Sequence, residues 1–170
     1  EVMHEALAIF AATLPRSITL NERISVHPAM AFADPTQLHQ IIMNLCANAA
    51  HAMRETGGVL EVGLEALPPG ACPLAGEAAL ADCLHLWVRD TGPGIPADIV
   101  ERVFDPFFTT KKPGEGTGMG LSVAHGVVRK YKGEIKVKNV AGGGALFDVY
   151  LPLAPDAAGG GDAPAAALAN

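Results

Sequence analysis

Glycine stands at every second position of Gly114-Glu115-Gly116-Thr117-Gly118-Met119-Gly120, and the run passes straight into the apolar helical pattern of Leu121, Val123, Ala124, Val127 and Val128. No regular element continues through such a stretch, so the chain turns there and opens a helix. Without a Cβ in the way, backbone N–H groups swing toward an anion, and the first turn of the helix adds unpaired donors and a positive dipole end. A nucleotide phosphate suits that cradle. A plain glycine-rich turn suits the same residues, and the segments upstream decide between the two.

With 170 residues, 49% of them hydrophobic and 18% charged, the chain is long enough for one domain with a real core and too short to suggest two. Twelve Lys and Arg against 18 Asp and Glu give a net charge of −6, and no basic run is interleaved with aromatics, which argues against nucleic acid as a partner. Apolar runs such as Ala6 to Phe10 are too short to span a bilayer, and the first residues carry no basic region followed by a cleavage site. The expectation is a soluble domain without direct membrane contact. Cys46, Cys72 and Cys83 form no CxxC and no zinc-like spacing with histidine, so all three read as reduced thiols of a cytosolic domain.

Met3 to Leu14 has helical spacing, and Ile18 to Val26 alternates like a strand. Asp34-Pro35-Thr36-Gln37 opens a long helix: an Asp to cap free N–H groups, Pro in the first turn, and Gln three residues after the cap. Leu38, Ile41, Ile42, Leu45, Ala49 and Ala52 form its buried stripe, and Gly57-Gly58 ends it. Strands follow at Val59 to Leu64 and Leu84 to Arg89, joined by a Pro-, Gly- and Ala-rich surface insertion from Leu67 to Asp82. After the glycine run come a helix to about Tyr131, a strand Glu134 to Asn139, a turn at Gly142 to Gly144 and a last strand Leu146 to Leu151. Three helices and five or six strands imply an α/β two-layer sandwich over residues 1–153. Residues 154–170 are almost wholly Ala, Gly, Pro and Asp, which reads as a disordered linker or tail toward a further domain.

Three segments carry chemistry besides the glycines. Asn44 and Asn48 lie four apart on one helix face beside the buried stripe. Buried amides cost free energy unless bonded, so they either bind loop backbone or hold magnesium, an amide oxygen supplying one ligand and phosphates the rest. Asp90-Thr91-Gly92-Pro93-Gly94 puts a carboxylate at a strand end with glycines opening room beside it. Such an acid either caps its own turn or accepts the exocyclic amino group of adenine, which guanine replaces with an acceptor. An aspartic-protease reading of Asp-Thr-Gly needs a second such Asp and a small residue at Pro93. Phe104-Asp105-Pro106-Phe107-Phe108-Thr109-Thr110-Lys111 holds three of the six phenylalanines. It reads as the apolar anchor of a lid pinned by Phe104, Phe107 and Phe108, from which Lys111 or Lys112 either reaches a phosphate or stays solvated.

In this order, the Asn44/Asn48 helix, Asp90-x-Gly92-x-Gly94, the Phe104 to Phe108 anchor and Gly116-Thr117-Gly118-Met119-Gly120 resemble the N, G1, F and G2 boxes of the ATP-binding catalytic domain of sensor histidine kinases. The wording is most similar to kinases of the nitrogen-regulation and hybrid type, in Asn44 to Met53 and Phe104 to Lys111. The resemblance implies the Bergerat fold, a mixed, mainly antiparallel sheet of about five strands on three helices, with ATP under a flexible lid. It implies that Asn48 holds Mg2+, that Asn44 supports the ion and phosphates, and that His51 sits where the family often has a phosphate-contacting basic residue. Asp90 takes the adenine amino group, with Gly92 and Gly94 shaping the pocket. Gly116, Gly118 and Gly120 supply N–H groups to the phosphates beside Thr117, with Met119 and Leu121 completing the segment.

Related ATPases carry a glutamate where this chain has Asn44, and an amide cannot serve as a general base. The resemblance therefore implies phosphotransfer to a histidine on a partner domain. That domain is missing: a phosphoacceptor histidine is followed by an acid on a dimerisation helix, and His4-Glu5 lies too close to the ATP domain. The implied partners are ATP or ADP, a histidine-containing dimerisation domain of the parent kinase, and a response regulator or receiver domain, with a cytoplasmic location. Two alternatives stand: a nucleotide-binding module without transfer activity, and an ATPase of the same superfamily.

Overall fold

A computed structural model describes residues 2–25, 34–76, 78, 81–112 and 117–153. The elements are α1 (Val2–Ala11), β1 (Ile18–Ser25), α2 (Pro35–Ala52), β2 (Gly58–Leu67), β3 (Cys83–Asp90), α3 (Gly120–Lys130), β4 (Glu134–Asn139) and β5 (Ala145–Pro152), with a 3-10 turn at Val100–Arg102. The strands form one sheet in the order β1-β2-β3-β5-β4. Only the β1–β2 pair is parallel, so the sheet is mixed and mainly antiparallel.

Pairing register decides which side chains meet the helices. Leu64↔Leu86, Val62↔Val88 and Leu60↔Asp90 link β2 to β3, and Leu84↔Leu151, Leu86↔Val149 and Val88↔Phe147 link β3 to β5. All of these residues are buried, and the apolar ones pack with Leu7 and Phe10 of α1, Ile41 and Leu45 of α2, and Val128 of α3. Each such side chain contributes about 1.5–3 kcal/mol by leaving water. The alternate residues point to the other face: Glu61 carries Arg23 and Arg89, while His85 lies between Glu65 and Asp148 and stacks on Tyr150. The result is the expected α/β sandwich, and it hangs Asp90, the last inward residue of β3, over the helices.

The α2 start follows its sequence signal: Asp34 Oδ1 accepts the N–H groups of Thr36 at 3.0 Å and Gln37 at 3.3 Å. Helix α1 stops at Ala11, short of Leu14, because the Thr13 N–H and hydroxyl both turn back to the Phe10 carbonyl and Pro15 lies ahead. One expectation is corrected. Cys72 and Cys83 are not reduced thiols: they form a disulfide with Cα atoms 6.2 Å apart. The insertion folds back on the start of β3, so that Cys72, Leu74 and Cys83 make a small core of their own beside Tyr150. Cys46 is free and buried on α2, and burial pushes its thiol up to about 12, so it stays protonated. The expected tail at residues 154–170 lies outside the described residues.

Candidate functional site

A cavity of about 430 Å³ opens between α2, the end of β3, the 95–111 segment and the start of α3. It brings together Asn44, Asn48, His51, Asp90, Gly94, Lys111, Thr117, Gly118, Gly120 and Leu121. The residues named, from Asn44 to Leu121, thus line one space although they lie up to 77 positions apart in the chain.

At one end stands Asp90, 3% exposed. Its Oδ1 accepts the Gly92 N–H at 2.8 Å and the Ala145 N–H at 3.3 Å. Burial pushes its carboxyl above the ordinary aspartate range, and these two N–H groups pull it part of the way back. Both bonds fall on one oxygen. Among the described residues no donor reaches Oδ2, so a ligand entering the cavity meets an acceptor with an open lone pair. Gly92 is itself buried and acts through that bond, without lining the cavity. Gly94 lines it with φ +79°, a conformation that a side chain disfavours. Thr91 braces the turn from outside: its hydroxyl accepts the Val59 N–H at 2.9 Å and donates to Met53 sulfur at 3.8 Å.

The other end is assembled from side chains and loop backbone. Asn48 Nδ2 donates to the Asn44 carbonyl one turn back at 3.0 Å, which turns Oδ1 toward Lys111 Nζ at 3.2 Å. Asn44 faces the first residue of α3, so closely that a Cβ on Gly120 would stand 3.3 Å from its Oδ1. Gly118 has φ +65°, and a Cβ there would lie 2.6 Å from the Phe107 carbonyl carbon. Both conformation and space require glycine. The Thr117 hydroxyl accepts the Met119 N–H at 3.3 Å and so shapes the entry into α3. Met119 points away from the cavity and is 42% exposed, while Gly116 lies outside the described residues.

The three-phenylalanine anchor is corrected to two. Phe104 packs edge-on to Phe147 at 6.3 Å and stacks on His125 at 5.4 Å, and Phe108 lines the cavity under the Arg102 guanidinium at 4.6 Å. Phe107 is 74% exposed with φ +65°, because the backbone turns there to receive Gly118. Sequence reasoning also passed over Ile95, Ile99, Val103, Ala145 and Phe147, which form the apolar floor. Ile95 and Ile99 lie in the segment after β3, where no helical or strand spacing marks them as inward-facing.

The family model described as "Histidine kinase-, DNA gyrase B-, and HSP90-like ATPase" matches residues 33–155. The sensor kinase CckA of Brucella abortus is 39% identical over 137 residues, 79% of this chain and 14% of that protein. The two-component sensor PprA of Pseudomonas aeruginosa is 46% identical over 127 residues, 74% of this chain and 13% of that one. The chain thus spans about a seventh of the length of these relatives. Among solved structures, the nucleotide-free catalytic domain of the histidine kinase ThkA superposes with a TM-score of 0.72 at 25% identity, over 89% of this chain and 90% of that one. The chain belongs to the histidine kinase-, gyrase- and HSP90-like ATPase family, as the ATP-binding catalytic domain of a sensor histidine kinase.

Proposed function

We propose that this domain holds ATP with its adenine at Asp90 and its phosphates between Asn48, Lys111 and the Gly118–Gly120 turn, and offers the γ-phosphate to a histidine of a dimerisation domain in the parent kinase. The observation that carries the reading is the single cavity joining an acceptor with an open lone pair to an amide, an ammonium and a helix start. His51 and Thr117 line the same end. Phosphate charge is met there by Lys111 and by backbone N–H groups at the start of α3, which the helix already orients toward it.

Mg2+ fits the donor chemistry. Among the described residues no three of His, Cys, Asp or Glu form a metal-binding group. Asn48 Oδ1, which here meets the Lys111 ammonium at 3.2 Å, is the oxygen that would hold the ion, with phosphate oxygens completing its shell. Bound there, the ion neutralises phosphate charge. Asn44 and Asn48 then keep the triphosphate oriented, and neither amide can remove a proton from water, which favours transfer over hydrolysis.

Phe107 and Met119, the residues on either side of the Phe107–Gly118 approach, are exposed, and their apolar side chains suit contact with an apolar partner surface such as a dimerisation helix. A response regulator or receiver domain as final acceptor, a cytoplasmic location and membership of the nitrogen-regulation and hybrid subtype complete the proposal; no helix among the described residues is long and apolar enough to cross a membrane. The experiment incubates γ-labelled ATP with this chain alone and with a sensor-kinase dimerisation domain. Label is expected on the added domain's histidine and not on this chain. Steady ATP turnover without acceptor, abolished by Asn48→Ala, would instead make the domain an ATPase.

A further inference from the structure

The Asp90 end of the cavity leans on the β4–β5 hairpin. Ala145, the first residue of β5, donates its N–H to Asp90 Oδ1, and the Gly144 carbonyl lies 3.3 Å from where a Cβ on Gly94 would stand. Asn139, the last residue of β4, reaches the same loop from the side. Its Nδ2 donates to the Ile95 carbonyl at 2.7 Å, and its Oδ1 accepts the Ile95 N–H at 2.8 Å. A carboxamide presents the same donor and acceptor as a peptide group, so Asn139 pairs with Ile95 as one more strand residue would. The backbone of Asn139 closes the β4–β5 register opposite Ala145, and its side chain ties this end of the hairpin to the 92–95 loop. Ile95 lines the cavity and packs on the core.

We infer that Asn139 is a positioning residue for nucleotide binding: its amide fixes the 92–95 loop so that Ile95 and Asp90 present one preformed wall to the adenine base. The inference rests on reading Asp90 as the adenine acceptor. Gly94, at φ +79°, leaves the loop free to take other conformations, and its Cα approaches so closely that a Cβ would stand 2.8 Å from Asn139 Oδ1. Held by two bonds, the loop is ordered before the ligand arrives. Without them the base must order it on binding, and that entropy is subtracted from the affinity.

The test measures adenosine and ADP binding by calorimetry to the wild-type chain, Asn139→Ala and Asn139→Asp, with hydrogen exchange of the Ile95 amide read on the ligand-free samples. Asn139→Ala is expected to weaken both ligands by about tenfold, the effect of losing two hydrogen bonds that compete with water, and to speed Ile95 exchange. Asn139→Asp keeps the acceptor for the Ile95 N–H but turns a lone pair on the Ile95 carbonyl, so its affinity falls between the two. Equal loss for adenosine and ADP is the mark of a residue acting on the base. Wild-type affinity in both variants, or unchanged Ile95 exchange, overturns the proposal; should Asn139→Ala not fold, the isosteric Asp variant carries the test. Asp90→Ala is measured alongside. Loss there with wild-type affinity in the Asn139 variants sinks the clamp alone, whereas wild-type affinity in Asp90→Ala sinks the adenine reading itself.

Discussion

At the Asp90 end of the cavity the contacts that hold Asp90 and its turn run mainly through backbone of the sheet or of turns bonded to it: Gly92, Ala145, Val59 and Ile95 each spend an N–H on a side chain. At the Asn48 end the contacts join side chains of separate elements, Lys111 from the 103–112 segment and Asn48 from α2, and the turn into α3 rests on Gly118 against Phe107. The first construction is rigid, because moving Asp90 breaks the sheet. The second is adjustable, because a lysine can leave an amide at little cost. A flat, unreactive base suits a fixed wall, and a phosphate chain that must be released suits contacts that can be exchanged.

The largest expected effect breaks the fixed end. Asp90→Ala removes the open acceptor and leaves the Gly92 and Ala145 N–H groups without their partner, so ADP affinity should fall by about 10- to 150-fold, the range for a hydrogen bond to a charged group. Isothermal titration with adenosine should show the same factor. A loss confined to ADP would mean that Asp90 serves the phosphates and that the two ends have been assigned the wrong way round.

Next comes the adjustable end. Gly118→Ala puts a Cβ 2.6 Å from the Phe107 carbonyl carbon at φ +65°, where a left-handed non-glycine residue costs about 1–2 kcal/mol before any clash. The turn into α3 must shift. ADP binding should weaken by about tenfold while adenosine binding stays at the wild-type value, the opposite pattern to Asp90→Ala. Equal weakening of both ligands would show that the two ends move as one body.

The two ends also differ in how far the sequence disclosed them. The parts of the Asn48 end are marked locally, Asn44 and Asn48 one helical turn apart and the glycine spacing at the turn into α3, although the meeting of Lys111 with Asn48 is not. The Asp90 end is legible only in its first residue. That Ala145 and Asn139 would come to it depends on β5 inserting between β3 and β4, a pairing of residues 57 to 69 positions apart that no local preference encodes. The same holds for Cys72 and Cys83: their spacing matches no motif, and they meet because the insertion collapses on Leu74 and Tyr150. Phe107 fails for the converse reason. Composition marks it as an anchor, but the backbone turn that admits Gly118 carries its side chain outward. Elements and caps follow from near neighbours in the chain, whereas the walls of the cavity follow from register.

The smallest effect is a pH dependence that separates binding from folding. Burial holds the Asp90 carboxyl above the ordinary aspartate range, so acidification protonates it early and turns an acceptor into a donor facing the adenine amino group. Adenosine affinity should therefore decline by a few-fold as pH falls through that raised value. Adenosine is the ligand to use because it has no phosphate to titrate. Fold stability runs the other way. A raised folded pKa makes protonation of Asp90 favour the native state, so that group contributes most below its unfolded value and less as pH rises through the folded one. Asp148 is opposite: bonds from His85 and Lys138 hold it below the usual range, and the stability it contributes is present above its unfolded value and lost only as pH falls through the depressed one. For His85 burial works against the charge, but the bonds to Asp148 and Glu65 outweigh it and raise the group, so its contribution is present below its unfolded value while those carboxylates stay ionised and is lost as pH rises through its folded value. Mild acid should then weaken adenosine binding while the thermal midpoint of the free protein holds. Asp90→Asn, which cannot titrate, should flatten the binding profile and leave the stability profile's His85 and Asp148 limbs in place; binding and melting that fall together in the wild type would mean that the Asp90 wall is no more fixed than the lysine contact across the cavity.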